Sequence, residues 1–557
     1  MGQPRAVAAA CAAALALVTL AVRAQTQNPG ASLFSISMGV GLPPVDEGAL
    51  LDQSHTPQSD STLKRAAMHQ AMDQLVHGEG SGASGMPYAR GRVIVKFRDN
   101  ASDAARNDAI ASTADGAQIA ERPSYANFDV VTFSPDEDAE AAAQRLSGRA
   151  EVEYAQPAYR VKPLFVPNDP YYKSSPSFTP GQWNLPLIGL ESAWDIQPQA
   201  GSSIVVAVLD TGLAYESATI TANIRAFRDD NGVLYPALGN VTIPYSAASQ
   251  IVTPGRIVAP HDFIWDNNRP LDFDGHGTHV AGTIGQLTND GLLTAGVAFN
   301  VKLMPVKVID SFWDDMFGAP NFGTDDVVAR GIRYAVDNGA KILNMSIGRT
   351  GPPNTAPVVE DAIRYAVAKG AFVALAAGND FEDGNPRQIY AEIASRVSGA
   401  VSVAAVDRHA ETGDRHCRGG SNSPDCHAYY SSSGSWVELS APGGSERGFD
   451  HGGRDGLIWQ QTFDFTFTDT YLLPPSQYHA PRFDIFAVVG YIGTSMAAPH
   501  VTGVAAMAMQ QGLTDPAAIE AALEQFAVDL GTAGRDDLYG YGLIDARATL
   551  RGLGLAR

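Results

Sequence analysis

Cysteine is nearly absent. The 557 residues contain three, Cys11, Cys417 and Cys426, too few for a disulfide-stapled scaffold. Basic residues are scarce too, since 39 Lys and Arg stand against 60 Asp and Glu, a net charge of −21. Binding nucleic acid needs clustered Lys and Arg to neutralise phosphate, so no nucleic-acid partner is expected. Long apolar runs are missing apart from the Ala-rich residues 6–22, and a bilayer needs about 20 strongly apolar ones. That run follows Arg5 and ends in Val22, Arg23 and Ala24, which predicts a cleaved secretory signal over 1–24 and no stable membrane anchor afterwards. Its removal leaves Cys417 and Cys426 as an even pair in an oxidising compartment, where a disulfide bracing a short surface loop is expected. A metal pair with His427 is the lesser alternative.

What is present is ordinary globular material, 45% hydrophobic and 18% charged. Length alone suggests three or four domains at roughly 150 residues each. Residues 25–89 are rich in Gly, Ser, Pro and Gln and read as a spacer, with one helix-like stretch at 63–76. Strand patterns at 92–97, 128–133 and 152–155 alternate with helix patterns at 101–112 and 136–146, a small α+β unit over 90–162. A Pro-marked tail at 156–163 reads as its linker. From 167 to 557 the pattern changes to short, wholly apolar runs at 204–209, 303–308, 342–345, 371–376 and 400–405. Amphipathic segments at 326–336 and 358–367 lie between them. Such alternation predicts one large α/β domain with a parallel sheet covered on both faces.

Three segments put a reactive side chain where such a sheet exposes it. Asp210 follows an apolar strand and precedes Thr211 and Gly212; a turn cap would explain it equally well. His276 lies between Gly275 and Gly277, with His279 three positions on. That spacing, without the Glu of an HExxH helix, argues against zinc, and His279 reads as buried and structural. Ser495 opens an Ala-rich helix after Gly493 and Thr494, where the unpaired N–H groups favour a developing anion. A plain N-cap is the bland alternative.

The three segments in the order Asp210, His276, Ser495, with Ala376, Ala377, Gly378 and Asn379 between the last two, resemble the subtilisin-like serine proteases. The similarity runs from Asp169-Pro170-Tyr171 through Gln182-Trp183-Asn184-Leu185 to Tyr539-Gly540-Tyr541-Gly542. It implies a three-layer α/β fold with a mostly parallel central sheet, and a secreted serine endopeptidase working through Asp210, His276 and Ser495. Asn379 is implied as an oxyanion-hole donor. Ser346, Ile347 and Gly348 would form one wall of the substrate cleft, and Ala376, Ala377 and Gly378 the other. Small apolar walls suggest tolerance for large apolar side chains. The unit at 90–162 resembles the family's ferredoxin-like inhibitory propeptide, whose tail would lie in the cleft until cut near 159–173. Implied partners are therefore protein or peptide substrates and the chain's own propeptide, with the enzyme expected as a monomer outside the cytoplasm, extracellular or periplasmic.

Two departures stand out. Asp210 and His276 are 66 positions apart, about twice the expected spacing, and the excess at 215–260 lacks a core pattern and reads as a loop. A second insertion at 445–490 carries Trp459, Phe463, Phe465, Phe467 and Tyr471. The alternation at 463–467 predicts a strand, in a self-packed hairpin or else an exosite for substrate. No cofactor is required for the implied chemistry. Structural calcium is a family habit, and Asp262, Asp266, Asn267, Asp272 and residues 289–291 lie at suggestive places, but no metal ligand is assigned. The competing readings are a catalytically silent binding protein of the same fold and a narrow processing enzyme.

Overall fold

The structure, a computed structural model, describes residues 79–81, 87–121, 127–159, 165–173, 181–408, 426–446 and 451–553. The expected signal over 1–24, the helix at 63–76 and Cys417 lie outside the described residues. The chain divides into a small unit that ends before Phe165 and a large one over Phe165–Leu553.

In the small unit, the long strand Pro87–Phe97 pairs antiparallel with both Asp129–Thr132 and Val152–Tyr159. Gln118–Glu121 pairs antiparallel with Asp129–Thr132. Counting Pro87–Phe97 as the first strand, the order across the sheet is 4-1-3-2, the ferredoxin-like arrangement. Helices Asp103–Ala111 and Ala139–Ser147 follow Ser102 and Asp138, whose side chains accept from Ala105 N and Glu140 N, so each begins at an N-cap. Val93, Val95, Val131 and Leu146 form the centre of the core. Two boundaries differ from expectation. Glu79–Ser81 pairs with Pro87–Ala89, so the last part of the expected spacer belongs to the sheet. The last strand runs on through Pro157 to Tyr159; an edge strand tolerates a proline's missing donor, so the tail begins later than its prolines suggest.

The large unit is built on seven described strands, all parallel. Their order is His261–Asp262, Lys302–Lys307, Val205–Asp210, Ile342–Met345, Phe372–Ala376, Ala400–Val406 and Leu439–Pro442. Alternation along Val205–Asp210 divides the core, with Val206 and Val208 in one cluster and Ala207 and Leu209 in the other. Helices Asp325–Asp337 and Pro357–Ala368 cover the second face. Helices His276–Gly285 and Thr494–Gln510 cover the first. The latter is apolar nearly all round and buried along most of its length, as such a helix must be. From Val205–Asp210 the chain moves to one side of the sheet and then returns to the other. That reversal places the end of this strand at the topological switch point, where α/β sheets gather functional groups.

Both insertions differ from their expected form. The stretch read as a loop contains an antiparallel pair, Ala218–Ile224 with Gly239–Tyr245, and buries Ile224, Ile243 and Tyr245. In the second, Ile458–Phe463 pairs with Phe486–Tyr491, but the strand stops at Phe463. Asp464 accepts from Thr466 N and starts a helical turn over Phe465–Thr468, so residues 465–467 are not strand. The two insertions join where Ser246 N donates to Phe483 O and Phe483 N to Pro244 O, each at 3.0 Å.

Candidate active site

Asp210 is the last residue of its strand and fully buried. A buried carboxylate must be hydrogen-bonded. Its Oδ1 accepts from Thr211 N at 2.8 Å and from His276 Nδ1 at 2.7 Å. His276 opens the helix His276–Gly285 and reaches Asp210 because Gly277 lets the helix lie against the strand end. A Cβ on Gly277 would sit 2.2 Å from Gly212 O and 3.1 Å from Asp210 Oδ1.

Asp272 ties the same two elements together. Its Oδ1 accepts from Thr211 Oγ1, Asp274 N and Gly275 N, and its Oδ2 from Thr278 N and Thr278 Oγ1, at 2.7 to 3.0 Å. Thr211 Oγ1 in turn accepts from Gly277 N at 2.9 Å. The sequence offered Asp272 only as one acid among several near a loop. The hydroxyl residues Thr211 and Thr278 beside the two reactive positions were the signal that it would be bridged.

Burial on its own would lower the pKa of His276, but the charge and hydrogen bond of Asp210, with Asp274 and Asp272 beyond, raise it to about 9. Burial and then the charge of Asp272 push Asp274 up to about 6. His279 is buried, its Nε2 shared between Ile458 O and Val489 O at 3.1 Å each. Burial drives it down to about 3, so it is neutral and braces the helix on the hairpin.

Ser495 lies in the first turn of Thr494–Gln510. Its Oγ donates to Ser346 O at 3.1 Å and not, in this structure, to the imidazole. Asn379 Oδ1 accepts from Thr494 N and Thr494 Oγ1, each at 2.9 Å, leaving its amide N–H groups to donate. The left-handed turn beside it is made by Gly378, at φ 106°, and not by Asn379. Segments 346–348 and 376–378 leave adjacent parallel strands side by side. Ile347 packs into the core and Ala377 is fully buried, so those two side chains belong to the core.

Three of the residues considered for calcium, Asp262, Asn267 and Asp290, accept from backbone N–H groups. Asp262 Oδ1 accepts from Ile264 N and Trp265 N, and Asn267 Oδ1 from Arg269 N. The Asp169 carboxylate accepts from Asn289 N and Asp290 N. Among the described residues no group of three or more His, Cys, Asp or Glu is arranged to hold a metal ion. Cys426 is buried beside His427, which is also buried. No described helix is long and apolar enough to cross a membrane.

This geometry agrees with what the chain is similar to. The sequence profile of the subtilase family matches residues 201–542, and that of the fervidolysin N-terminal prodomain matches residues 78–158. The thermophilic serine proteinase of Bacillus sp. (strain AK1) is 27% identical over 453 residues, 81% of this chain and 86% of that one. Thermitase of Thermoactinomyces vulgaris is 30% identical over 370 residues, 66% of this chain and 94% of its own. Fervidolysin of Fervidobacterium pennivorans is 28% identical over 521 residues, 88% of this chain and 61% of its own. With the family profile spanning more than half of its residues and a prodomain profile ahead of it, the chain belongs to the subtilases, a family of serine endopeptidases.

Proposed function

We propose that Asp210, His276 and Ser495 are the catalytic triad of this protease. His276 takes the Ser495 proton as Oγ attacks the peptide carbonyl, then returns it to the leaving amine as the acyl-enzyme forms. Water then attacks the acyl carbon as His276 takes its proton, and His276 returns that proton to Ser495 Oγ as the ester C–O bond breaks and the acid leaves. Asp210 holds Nδ1 and stabilises the imidazolium. Asn379 and the backbone N–H of Ser495 receive the oxyanion. The observation that carries this reading is the 2.7 Å contact between the fully buried Asp210 and His276, made at the switch point of the sheet. A substrate strand would align along the backbone of 346–348 and 376–378.

The chain is read as a secreted proenzyme whose prodomain inhibits it until autoprocessing between 159 and 173. Cys417 and Cys426 are read as a disulfide and the mature enzyme as a monomer. Any calcium would be structural and take no part in the chemistry. The test is fluorophosphonate labelling of secreted protein, with mass spectrometry of the labelled peptide and the mature N-terminus. Label on Ser495 is expected, together with an unprocessed precursor in Ser495→Ala. Processed, folded protein that takes no label would favour the silent fold, and normal maturation of Ser495→Ala would refute autoprocessing.

A further inference from the structure

Four positions after Ser495, inside the same helix, stands Pro499. An ordinary residue there would donate its N–H to the Ser495 carbonyl, but proline has none. The carbonyl of the residue that carries the nucleophile is therefore left without its helical partner. It is not left bare, because Ser346 Oγ donates to Ser495 O at 2.8 Å. In the opposite direction Ser495 Oγ donates to Ser346 O at 3.1 Å. Ser346 thus holds Ser495 by its main chain and by its reactive hydroxyl together.

Ser346 is itself oriented from behind. Asn344, on the strand Ile342–Met345, donates from Nδ2 to Ser346 Oγ at 2.9 Å. Its Oδ1 accepts from Thr502 Oγ1 at 2.8 Å, and Thr502 lies two turns further along the Ser495 helix. The amide oxygen of Asn344 faces Thr502 and its N–H2 faces Ser346. The Ser346 oxygen then accepts, and its one proton has only the Ser495 carbonyl to go to. All three side chains are buried, where water offers no substitute for a missing bond.

We propose that Thr502, Asn344 and Ser346 are positioning residues for the nucleophile, a one-directional relay that replaces the helix bond removed by Pro499 and fixes the first turn of the Ser495 helix. This rests on the reading of Ser495 as the nucleophile. It gives the Ser346 hydroxyl a role separate from the cleft wall its backbone forms.

The test compares Ser346→Ala, Thr502→Val and Thr502→Ser with the parent full chain, and repeats Ser346→Ala in a Pro499→Ala background. The readouts are kcat and KM on a peptide substrate and the rate of fluorophosphonate labelling at Ser495. A slightly misplaced nucleophile costs up to about a hundredfold. Ser346→Ala is therefore expected to lower kcat and the labelling rate by about 10- to 100-fold with KM nearly unchanged. Thr502→Val should do so more mildly, and Thr502→Ser should restore the parent rate. With Pro499→Ala supplying an N–H to the Ser495 carbonyl, the penalty of Ser346→Ala should shrink. Where a variant does not mature, the rate of precursor conversion is read in place of kcat. Labelled parent with variants inside twofold of it, or an undiminished penalty in the Pro499→Ala background, would overturn the relay alone. A parent that takes no label at Ser495 would overturn the nucleophile assignment and the relay with it.

Discussion

Asn184 donates its side-chain amide to His500 Nε2 at 2.8 Å, joining residues 316 positions apart. The other ring nitrogen of His500 meets Met496 O, also at 2.8 Å. Neutral imidazole with its proton on Nδ1 satisfies both contacts; a second proton would face the Asn184 amide donor. The residue lies five positions beyond Ser495, so the contact fastens the segment of Asn184 to the helix that carries Ser495.

Burial lowers His500 from 6.5 to about 4. As pH falls through 6.5 the unfolded chain takes up a proton that the folded chain refuses, so the stability contributed by His500 is intact above that pH and is lost down to about 4. Buried acids act in the opposite sense. Asp169 and Glu438 are raised by burial to about 7 and about 8, and their protonation favours the fold as pH drops. The informative quantity is therefore a difference between proteins. His500→Gln, measured on phosphonate-blocked protein, should be less stable than the parent at pH 8. The gap should narrow on acidification between 6.5 and 4, by up to about 1.4 kcal/mol per pH unit for the one proton involved. A gap that stays constant or widens would contradict the neutral assignment.

The alkaline position of His276 sets a second expectation. In the proposed triad only neutral imidazole can accept the Ser495 proton, so kcat/KM should rise with pH along a limb displaced from 6.5 toward the value of about 9 that Asp210, Asp274 and Asp272 impose against burial. Asp274 is ionised across that range, being held at about 6. It also accepts from His276 N at 3.1 Å, a bond an asparagine oxygen can keep. In Asp274→Asn one negative charge is gone, the imidazolium is less favoured, and neutral base is available at lower pH. The limb should move toward acid with the plateau retained. A limb that stays in place or moves to higher pH, read from kcat/KM between about pH 5 and pH 10, would count against this account.

How far these features could be read without coordinates depended on how local their cause is. Asp210, His276 and Ser495 each sit in a short run whose small neighbours mark a close approach, and the parallel sheet shows in its continuous apolar strands. The hairpin of the first insertion was missed although Ala218–Ile224 alternates Ala and Ile with Thr and Asn; half of its apolar positions are only alanine, and its buried side is completed by distant chain. At 463–467 the alternation was present and misleading, since Asp464 found a backbone N–H two residues on and capped a turn. Pro157 looked like the end of a strand and is only an edge residue within one. The pairing of Ser346 with Ser495 spans 149 positions, and no spacing rule reaches it.

The bridge at Asp272 gives the last expectation. Its two oxygens serve five donors, and four of these belong to the turn and helix that carry His276 while the fifth, Thr211 Oγ1, follows Asp210. Asparagine fits the same volume but offers one oxygen, and its amide would meet either the Thr278 donors or those of Asp274, Gly275 and Thr211. At least two charge-assisted bonds at a buried site are lost, each worth about 1.5 to 3 kcal/mol. Asp272→Asn should therefore lose at least about 3 kcal/mol of stability, a large share of the few kcal/mol by which a domain is folded. Activity should fall in step, because the strand end bearing Asp210 and the helix bearing His276 are no longer held to each other. Thr211→Val breaks one of the five bonds to Asp272 and removes the acceptor of Gly277 N, so it should reproduce the loss of kcat at a smaller cost in melting temperature. Parent-like melting and parent-like kcat in Asp272→Asn would show that the strand and helix keep their alignment without the bridge.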